Sequence, residues 1–263
     1  MTSYNTIEIS VNKSVFQIIL NRPEVHNAMN AELIAELTEV FKNINTQKDI
    51  AAVVLSGNGK SFCAGADLNY MKGIAEFGEE ENINDAKKLA ALFMSVYKCP
   101  KPTIAMVHGA VFGGANGLIS ACDIVIAEEN TTFAFSEVKL GIAPATIAPF
   151  VIKRIGEFGS KELMMTGKRF KSMEAQKWNL VNHVYNKETD ENPLDKILKE
   201  FHSSAPKAVM ETKILIEKVL NNSLDSNIEY TTKLIAKLRA SDEGQEGMSA
   251  FLEKRKPDYG KSK

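Results

Sequence analysis

The chain has 263 residues, of which 44% are hydrophobic, so it is long and apolar enough for one large domain with a substantial core. Its 32 basic and 33 acidic residues leave a formal net charge of −1, which gives no overall field that would favour nucleic acid or an anionic membrane. The four histidines are scattered and form no HExxH motif, so a metal site is not indicated.

The start of the chain, MTSYNTIEIS, lacks the charged segment and apolar core of a secretory signal. No apolar run approaches the roughly 20 residues that span a bilayer. The cysteines Cys63, Cys99 and Cys122 show no CxxC spacing, which is typical of a reducing compartment. We therefore expect a cytoplasmic protein with no membrane, nucleic-acid or metal partner.

The first part of the chain is predicted to form two strands, at residues 6–10 and 15–20, followed by the polar loop NRPEVHNAMN. Asn30 is a candidate cap for the helix that follows. Residues 50–56 are apolar throughout, as in a strand that is buried on both faces. The apolar stripe of the helix comprises Leu33, Ile34, Leu37, Val40, Phe41 and Ile44.

A glycine-rich segment, GNGKSFCAGADL, follows the buried strand. Its glycines indicate a bent loop in which the backbone can approach a ligand. The polar region at about 69–85 is interpreted as a surface loop, and an Ala- and Leu-rich helix is expected to end near Lys98.

Residues 104–141 repeat this order of buried strand, glycine-rich turn and short helix, followed by two further strands. The repetition predicts stacked β–β–α units with central parallel strands, an α/β fold. Phe133, Phe135 and Glu137 share one parity, so an extended segment would point all three to the same face. A carboxylate on such a face is paired, or its pKa is raised, and it is then a candidate for acid–base chemistry.

After Gly141 the sequence turns mainly helical, with predicted helices at about 145–155, 159–166 and 172–178 and a short strand in LVNHVY. Four amphipathic helices are predicted beyond this strand, at about 194–202, 206–220, 224–239 and 243–254. We therefore divide the chain into a core, residues 1–193, and a helical packing or oligomerisation region, residues 194–263.

The two glycine loops each follow a buried strand and lead toward a helix, where backbone N–H groups are free to donate. Two such groups aimed at one point would form an oxyanion hole, each donor typically contributing about 3–4 kcal/mol to lowering a barrier. Turns or helix packing explain most such loops. The loops match neither the GxGxxG nor the GxxxxGK[ST] pattern, and no GxSxG elbow is present.

Three polar residues near the loops have ordinary interpretations. His108 is expected to be packed or to support a loop, and Cys63 to be a small loop residue without a base beside it. Asp67 is expected to cap the next turn. Glu137 remains open between a functional carboxylate and a buried salt bridge.

Several segments closely resemble the enoyl-CoA hydratase/isomerase (crotonase) superfamily: SFCAGADL, KPTIAMVHGAVFGGANGLISACDIVIA and FAFSEVKLGIAP, with NRPEVHNAMN and GMSAFLEKRKPDY toward the two ends. The resemblance covers essentially the whole chain. It implies a crotonase-type spiral of ββα units, a helical C-terminal trimerisation region, and acyl-CoA thioester substrates. It also implies a homotrimer or a hexamer of paired trimers, and no cofactor, because coenzyme A is part of the substrate.

Carried over by motif, the resemblance makes Ala66 and Gly114 the two oxyanion N–H donors and Glu137 the acid–base residue. Phe251 and Lys254 match positions at which a neighbouring subunit meets the adenine and phosphate end of CoA. The expected substrate- and CoA-binding positions in the two glycine loops are Ala64, Asp67, Leu68 and Gly113.

The chain departs from the family pattern at Gly117, where hydratases of this family carry a second glutamate. The two-glutamate mechanism of water addition is therefore not available unchanged. Asn116 is adjacent and polar but is not a base. FSEVKLGIAPATIAPFVIKRIG resembles the bacterial hydratases assigned to methylglutaconyl-CoA in leucine or terpenoid breakdown, which favours hydration.

A Δ3,Δ2-enoyl-CoA isomerase that uses Glu137 as its single proton shuttle is the alternative, and a catalytically degenerate acyl-CoA-binding homologue is a third hypothesis. Lys72 and Lys139 are candidate partners for a second substrate carboxylate, although each has the ordinary interpretation of a solvated surface lysine.

Overall fold

The structure is a computed structural model that describes residues 4–44 and 50–260. Its strands are β1 (Ile7–Asn12), β2 (Val15–Leu20), β3 (Ala52–Gly57), β4 (Thr103–Val107), β5 (Ala110–Phe112), β6 (Ile124–Glu128), β7 (Thr132–Ala134), β8 (Arg169–Lys171) and β9 (His183–Tyr185). Its α-helices are α1 (Ala31–Asn43), α2 (Leu68–Ile74), α3 (Glu79–Tyr97), α4 (Gly114–Ala121), α5 (Ala148–Thr166), α6 (Ser172–Lys177), α7 (Pro193–Ser203), α8 (Pro206–Asn221), α9 (Leu224–Arg239) and α10 (Asp242–Leu252).

The larger sheet has six strands in the order β1-β2-β3-β4-β6-β9. Only the β1–β2 pair is antiparallel, and the remaining neighbours are parallel. The carboxyl ends of parallel strands meet at one edge, so the loops that follow β3 and β4 are brought together there. The predicted α/β fold with central parallel strands is confirmed.

The smaller sheet consists of β5, β7 and β8, with β5 parallel to β7 and β8 antiparallel to β7. Strands β5 and β8 are absent from the sequence-based prediction, because glycines flank β5 on both sides and β8 has a single apolar residue between two basic ones. This sheet positions the second glycine turn, which follows β5, beside the segment that follows β7.

The core lies between the large sheet and helices α1, α3, α4 and α5. Helix α1 buries its predicted apolar stripe, and the side chain of Asn30 accepts a hydrogen bond of 2.9 Å from Leu33 N–H, which confirms the predicted cap. Helix α4 is buried on every side, from Ala115 to Ala121, so the core encloses the helix that begins at Gly114.

The polar region at residues 69–85 is helical, which corrects the prediction of a surface loop. It contains α2 and the start of α3, and the two helices are joined by a hydrogen bond of 2.5 Å from the Tyr70 hydroxyl to Asp85. A polar sequence forms helix here because one face of α3 is covered while the other is exposed. The helices predicted at 145–155 and 159–166 are the two segments of α5, which are separated by a kink at Gly156 (φ 74°), as expected from two separate helices.

The four predicted C-terminal helices correspond to α7, α8, α9 and α10. In the described part of the chain no strand follows β9, so this region is helical as expected. The division into a core of residues 1–193 and a helical region of residues 194–263 stays a prediction. Residues 1–3 and 45–49 of the first range and residues 261–263 of the second lie outside the described residues.

Candidate active site

The first glycine loop is attached to β5 by a parallel bridge between Cys63 and Val111. Gly65 follows with φ +103°, and a Cβ atom at this position would lie 3.3 Å from the carbonyl oxygen of Phe112. This backbone conformation strongly favours glycine. Gly65 therefore turns the chain sharply and presents the next peptide group to solvent.

The Ala66 N–H is left without an acceptor by the way the loop is held. Met29 N–H donates to the Gly65 carbonyl at 2.7 Å, and the Met29 carbonyl accepts from Asp67 N–H at 2.9 Å. These two hydrogen bonds involve the residues on either side of Ala66. None of the hydrogen bonds among residues 4–44 and 50–260 involves the Ala66 N–H. Because Ala66 is exposed, this donor is available to a ligand.

Asp67 fixes the loop to α2, as the predicted cap. Its carboxylate accepts from Asn69 N–H at 2.8 Å and Tyr70 N–H at 3.3 Å, and it pairs with Arg22 at 2.9 Å. Burial tends to raise the pKa of Asp67, but the hydrogen bonds from Arg22 and the two backbone N–H groups outweigh it and hold the pKa below its ordinary value. Asp67 thus holds the loop that carries Ala66 against α2, and its expected contact with substrate stays a prediction.

We expect Asp67→Asn to lower the free energy of unfolding by about 1.5–3 kcal/mol at neutral pH, since Arg22 loses a charged partner while asparagine keeps the helix cap. The folded-state pKa of Asp67 is lowered, so its contribution to stability is complete above about pH 4 and is lost as the pH falls through the folded value. Urea unfolding at several pH values measures this. The difference in the free energy of unfolding between wild type and Asp67→Asn should become smaller below pH 4. A difference that does not change with pH would contradict the ion-pair explanation.

We expect Gly65→Ala to lower kcat by about 10²-fold, because the strained backbone displaces the Ala66 N–H by a fraction of an ångström or more. Gly260→Ala is the matched control, since Gly260 also has a positive φ (+66°) but no atom of residues 4–44 or 50–260 within 4 Å of its Cβ position. It should reproduce the backbone strain without the loss of activity. Steady-state kinetics tests both variants, and a kcat in Gly65→Ala equal to that in Gly260→Ala would remove Gly65 from the site.

The second glycine turn places another free N–H beside the first loop. Gly113 (φ 52°) donates its N–H to the Ala134 carbonyl at 3.0 Å, and Gly114 opens α4. As the first residue of a helix, Gly114 has no carbonyl partner within that helix for its N–H, and the helix dipole adds partial positive charge there.

Met29 brings the two glycine loops together. Its backbone holds the loop around Ala66, and its sulfur would lie 3.4 Å from a Cβ atom on Gly114. The predicted oxyanion donors Ala66 and Gly114 therefore lie on either side of one residue. Sequence reasoning missed Met29, because nothing in NRPEVHNAMN distinguishes it from an ordinary apolar residue.

Glu137 lies next to this turn. One carboxylate oxygen, Oε1, would be 3.5 Å from a Cβ atom on Gly113, which has none. The other oxygen, Oε2, is buried and has no hydrogen-bond partner within the described ranges, and no ion pair of Glu137 is found there either. Burial raises the pKa of Glu137 above its ordinary value. A buried salt bridge, the rival interpretation of Glu137, is therefore not found.

The parity argument for Glu137 is wrong in one respect. Strand β7 ends at Ala134, and Glu137 belongs to a short 3-10 helix, Ser136–Leu140. Phe133 and Phe135 are buried and stack on Phe170, whereas Glu137 is only partly covered. The chain turns after Phe135 and directs the carboxylate toward Gly113 rather than into the aromatic cluster.

The position of the missing second carboxylate, Gly117, is closed by apolar side chains. A Cβ atom there would lie 2.8 Å from Cβ of Ile147 and 3.0 Å from Cε2 of Phe93, and both side chains are fully buried. No space is left for a glutamate. Ile147 and Phe93 could not be predicted as neighbours of Gly117, because they lie far from it in the chain.

The other predicted positions divide into two groups. Ala64 and Leu68 flank the Ala66 donor, with Ala64 N–H bound to the His26 carbonyl at 3.0 Å and Leu68 exposed at the start of α2. Phe251 is 83% exposed near the end of α10, and Lys254 is exposed just beyond it. Their contact with CoA on a neighbouring subunit stays a prediction.

His108 and Cys63 have the ordinary roles expected of them. The His108 ring is 3.0 Å from the Gly59 carbonyl and supports the first loop. Cys63 is fully buried, and burial raises the pKa of its thiol to about 12, so it is not a nucleophile. Lys72 and Lys139 are both exposed.

Residues 4–44 and 50–260 contain no group of three or more His, Cys, Asp or Glu side chains arranged to hold a metal ion. None of the helices in the same ranges combines the length and apolar character required to cross a bilayer.

Comparison with known proteins identifies the family of this chain. The family model described as enoyl-CoA hydratase/isomerase matches residues 10–262. The chain is 31% identical over 275 residues to the peroxisomal Delta(3,5)-Delta(2,4)-dienoyl-CoA isomerase of Arabidopsis thaliana, covering 99% of each protein. The crystal structure of an enoyl-CoA hydratase from Shewanella pealeana superposes with a TM-score of 0.92 and 36% identity, covering 97% of this chain and 96% of that one.

An enoyl-CoA hydratase/isomerase structure from Marinobacter aquaeolei superposes with a TM-score of 0.91 and 33% identity, covering 97% of this chain and 98% of that one. The fold similarity confirms the predicted crotonase-type architecture. The relatives include proteins named as hydratases and as isomerases. On the family match and these similarities, the chain belongs to the enoyl-CoA hydratase/isomerase family, whose members act on acyl-CoA thioesters.

Proposed function

We propose that this protein is an acyl-CoA hydratase that adds water to an α,β-unsaturated CoA thioester through a stabilised enolate. The observation that carries the proposal is the buried Oε2 of Glu137, which has no hydrogen-bond partner among residues 4–44 and 50–260 and lies beside the turn that presents the Gly114 N–H. A carboxylate whose pKa is raised by burial, next to backbone donors, suits proton transfer at a carbon adjacent to a thioester.

In the proposed reaction the Ala66 and Gly114 N–H groups bind the thioester carbonyl oxygen. Glu137 accepts a proton from water as the water oxygen bonds to Cβ, and the electron pair of the double bond moves to the carbonyl oxygen. The resulting enolate is held by the two N–H groups. Glu137 then returns the proton to Cα, so one water molecule is added and the carboxylate is regenerated.

The proposed substrate is methylglutaconyl-CoA or a fatty enoyl-CoA. The resemblance of residues 135–156 to methylglutaconyl-CoA hydratases supports the first of these. No cofactor enters the proposed mechanism, because coenzyme A arrives as part of the substrate and the proton is carried by Glu137.

A Δ3,Δ2-enoyl-CoA isomerase is the second candidate, and the environment of Gly117 favours it. Ile147 and Phe93 leave no place for a second carboxylate to hold water, and moving a double bond requires only one base. Glu137 would take a proton from Cα of the 3-enoyl thioester, giving a dienolate whose oxygen is held by the same two N–H groups, and would return the proton to Cγ, which leaves the double bond between Cα and Cβ.

Incubating the purified protein separately with crotonyl-CoA, 3-methylglutaconyl-CoA and a 3-enoyl-CoA distinguishes these functions. Absorbance of the conjugated thioester falls on hydration and rises when a 3-enoyl double bond moves into conjugation. Hydration without migration supports the proposal, and migration without hydration establishes the isomerase instead. Tight binding of all three esters without turnover would identify a degenerate binding protein.

We further propose that the C-terminal helices assemble the chain into a trimer, or a hexamer of two trimers. Apolar side chains on α8, α9 and α10 are exposed, among them Leu220 (71%), Ile228 (56%) and Phe251 (83%). Exposed apolar surface of this extent supports contact with another protein surface. Light scattering after size-exclusion chromatography tests the assembly, and a monomer at micromolar concentration would refute it.

A further inference from the structure

Asn116, the third residue of α4, is fully buried and makes two hydrogen bonds through one nitrogen. Its Nδ2 donates to the Val111 carbonyl at 3.2 Å and to the Ala134 carbonyl at 2.8 Å. Its Oδ1 is buried and has no hydrogen-bond partner in the described part of the chain. A buried oxygen without a hydrogen-bond partner lowers the free energy of unfolding by about 1–3 kcal/mol, and an apolar side chain at this position would not have this effect.

The two carbonyl groups belong to the segments that carry the site. Val111 lies in β5, which leads into the turn at Gly113 and Gly114, and Ala134 ends β7, which leads to Glu137. Gly113 N–H also donates to the Ala134 carbonyl, at 3.0 Å. The Asn116 amide therefore ties the oxyanion turn and the segment before Glu137 to the same helix.

Few side chains offer this pair of bonds. Ionised aspartate has no donor, and serine has one, whereas the amide nitrogen of asparagine has two N–H groups. The geometry thus requires an amide at a position in a helix where asparagine is intrinsically unfavourable.

We propose that Asn116 is a positioning residue that fixes the Gly114 N–H relative to the Glu137 carboxylate. The inference rests on the proposed function for its kinetic consequences, but its effect on Glu137 is independent of which reaction is catalysed. Without the amide, the end of β7 is free to shift away from the turn, and water reaches the Glu137 carboxylate.

The chain supplies a matched control in Asn227 on α9. Asn227 is also buried, its Nδ2 donates to the carbonyls of Val219 at 2.9 Å and Asn222 at 3.4 Å, and its Oδ1 has no partner within the described ranges. Asn116→Ala and Asn227→Ala thus remove the same set of bonds at two places. Both are expected to lower the melting temperature.

The experiment compares kcat, KM and the titration of Glu137 in the two variants. The Glu137 carboxyl resonance in protein carrying 13C-labelled glutamate is assigned by its absence in Glu137→Gln. We expect Asn116→Ala to lower kcat about 10- to 100-fold with KM within about threefold, and the pKa of Glu137 to fall toward its ordinary value. Asn227→Ala should leave all three unchanged.

Equal kcat and equal Glu137 titration in the two variants would overturn the proposal and leave Asn116 a purely structural residue. If Asn116→Ala does not fold, Asn116→Ser, which keeps one donor, should show the same changes to a smaller degree. If wild type turns over no thioester, the proposed function fails, and the titration of Glu137 alone decides whether Asn116 positions it.

Discussion

Replacing Glu137 by glutamine is expected to lower kcat by about 10²–10⁴-fold, the range for loss of a general acid–base group, while binding of the CoA ester is retained. Glutamine has nearly the same shape but accepts no proton, and the Ala66 and Gly114 N–H groups do not depend on it. Loss of conjugated thioester absorbance measures kcat, and calorimetric titration measures binding. Full activity in Glu137→Gln would remove Glu137 from the mechanism.

The same variant is expected to be more stable than wild type above the pKa of Glu137. Burial raises the pKa of Glu137, so the ionised carboxylate lowers the free energy of unfolding at high pH. This loss of stability disappears as the pH falls through the folded-state pKa and the carboxylate is protonated. The stability advantage of Glu137→Gln should therefore grow as the pH rises from acid to neutral. Thermal unfolding across this pH range provides the test.

Glu36 offers a contrasting control. Its carboxylate is satisfied: Oε1 accepts from Asn5 N–H at 2.8 Å, and Oε2 accepts from Thr6 N–H at 2.9 Å and from the Thr6 hydroxyl. Glu36→Gln should be less stable than wild type and fully active, the opposite of Glu137→Gln in both properties. If both glutamine variants lost stability, the unpaired carboxylate of Glu137 would not be the source of the effect.

Gly117→Glu is expected to destabilise the protein by at least about 3 kcal/mol, because the new side chain collides with Ile147 and Phe93 and buries an unpaired carboxylate. The result should be unfolding at a markedly lower urea concentration, or insoluble protein. Gly73→Glu is the matched control, since no atom of the part of the chain that the structure describes lies within 4 Å of a Cβ on Gly73. That variant should be at least as stable as wild type, since glutamate is a better helix former than glycine.

The double variant Gly117→Glu/Ile147→Ala tests whether Ile147 occupies the place of the missing carboxylate. Ile147→Ala alone should lower the free energy of unfolding by about 2–5 kcal/mol. If the two residues compete for one space, the double variant should be more stable than the sum of the single changes by about 0.5–3 kcal/mol. A double variant that also hydrates crotonyl-CoA faster than Ile147→Ala would show a second carboxylate acting there. Additive stabilities would show that the two residues do not share the space.

Periodicity and the glycine positions were sufficient to predict most of the site's framework. The apolar strand at residues 50–56, the α1 stripe and the four C-terminal helices all form as expected, because each is encoded by residues close together in the chain. The loops around Ala66 and Gly114 were recognisable for the same reason. Glu137 was identified as an unusual carboxylate, although its placement in a strand was wrong.

By itself, then, the sequence determined the α/β architecture, two loops with free N–H donors, one candidate base and the absence of a second glutamate at Gly117. Only the tertiary structure decided what surrounds these groups: Met29 between the loops, Asn116 beneath them, and Ile147 closing the space at Gly117. These contacts join residues far apart in the chain. No local pattern encodes them, because they follow from how whole elements pack.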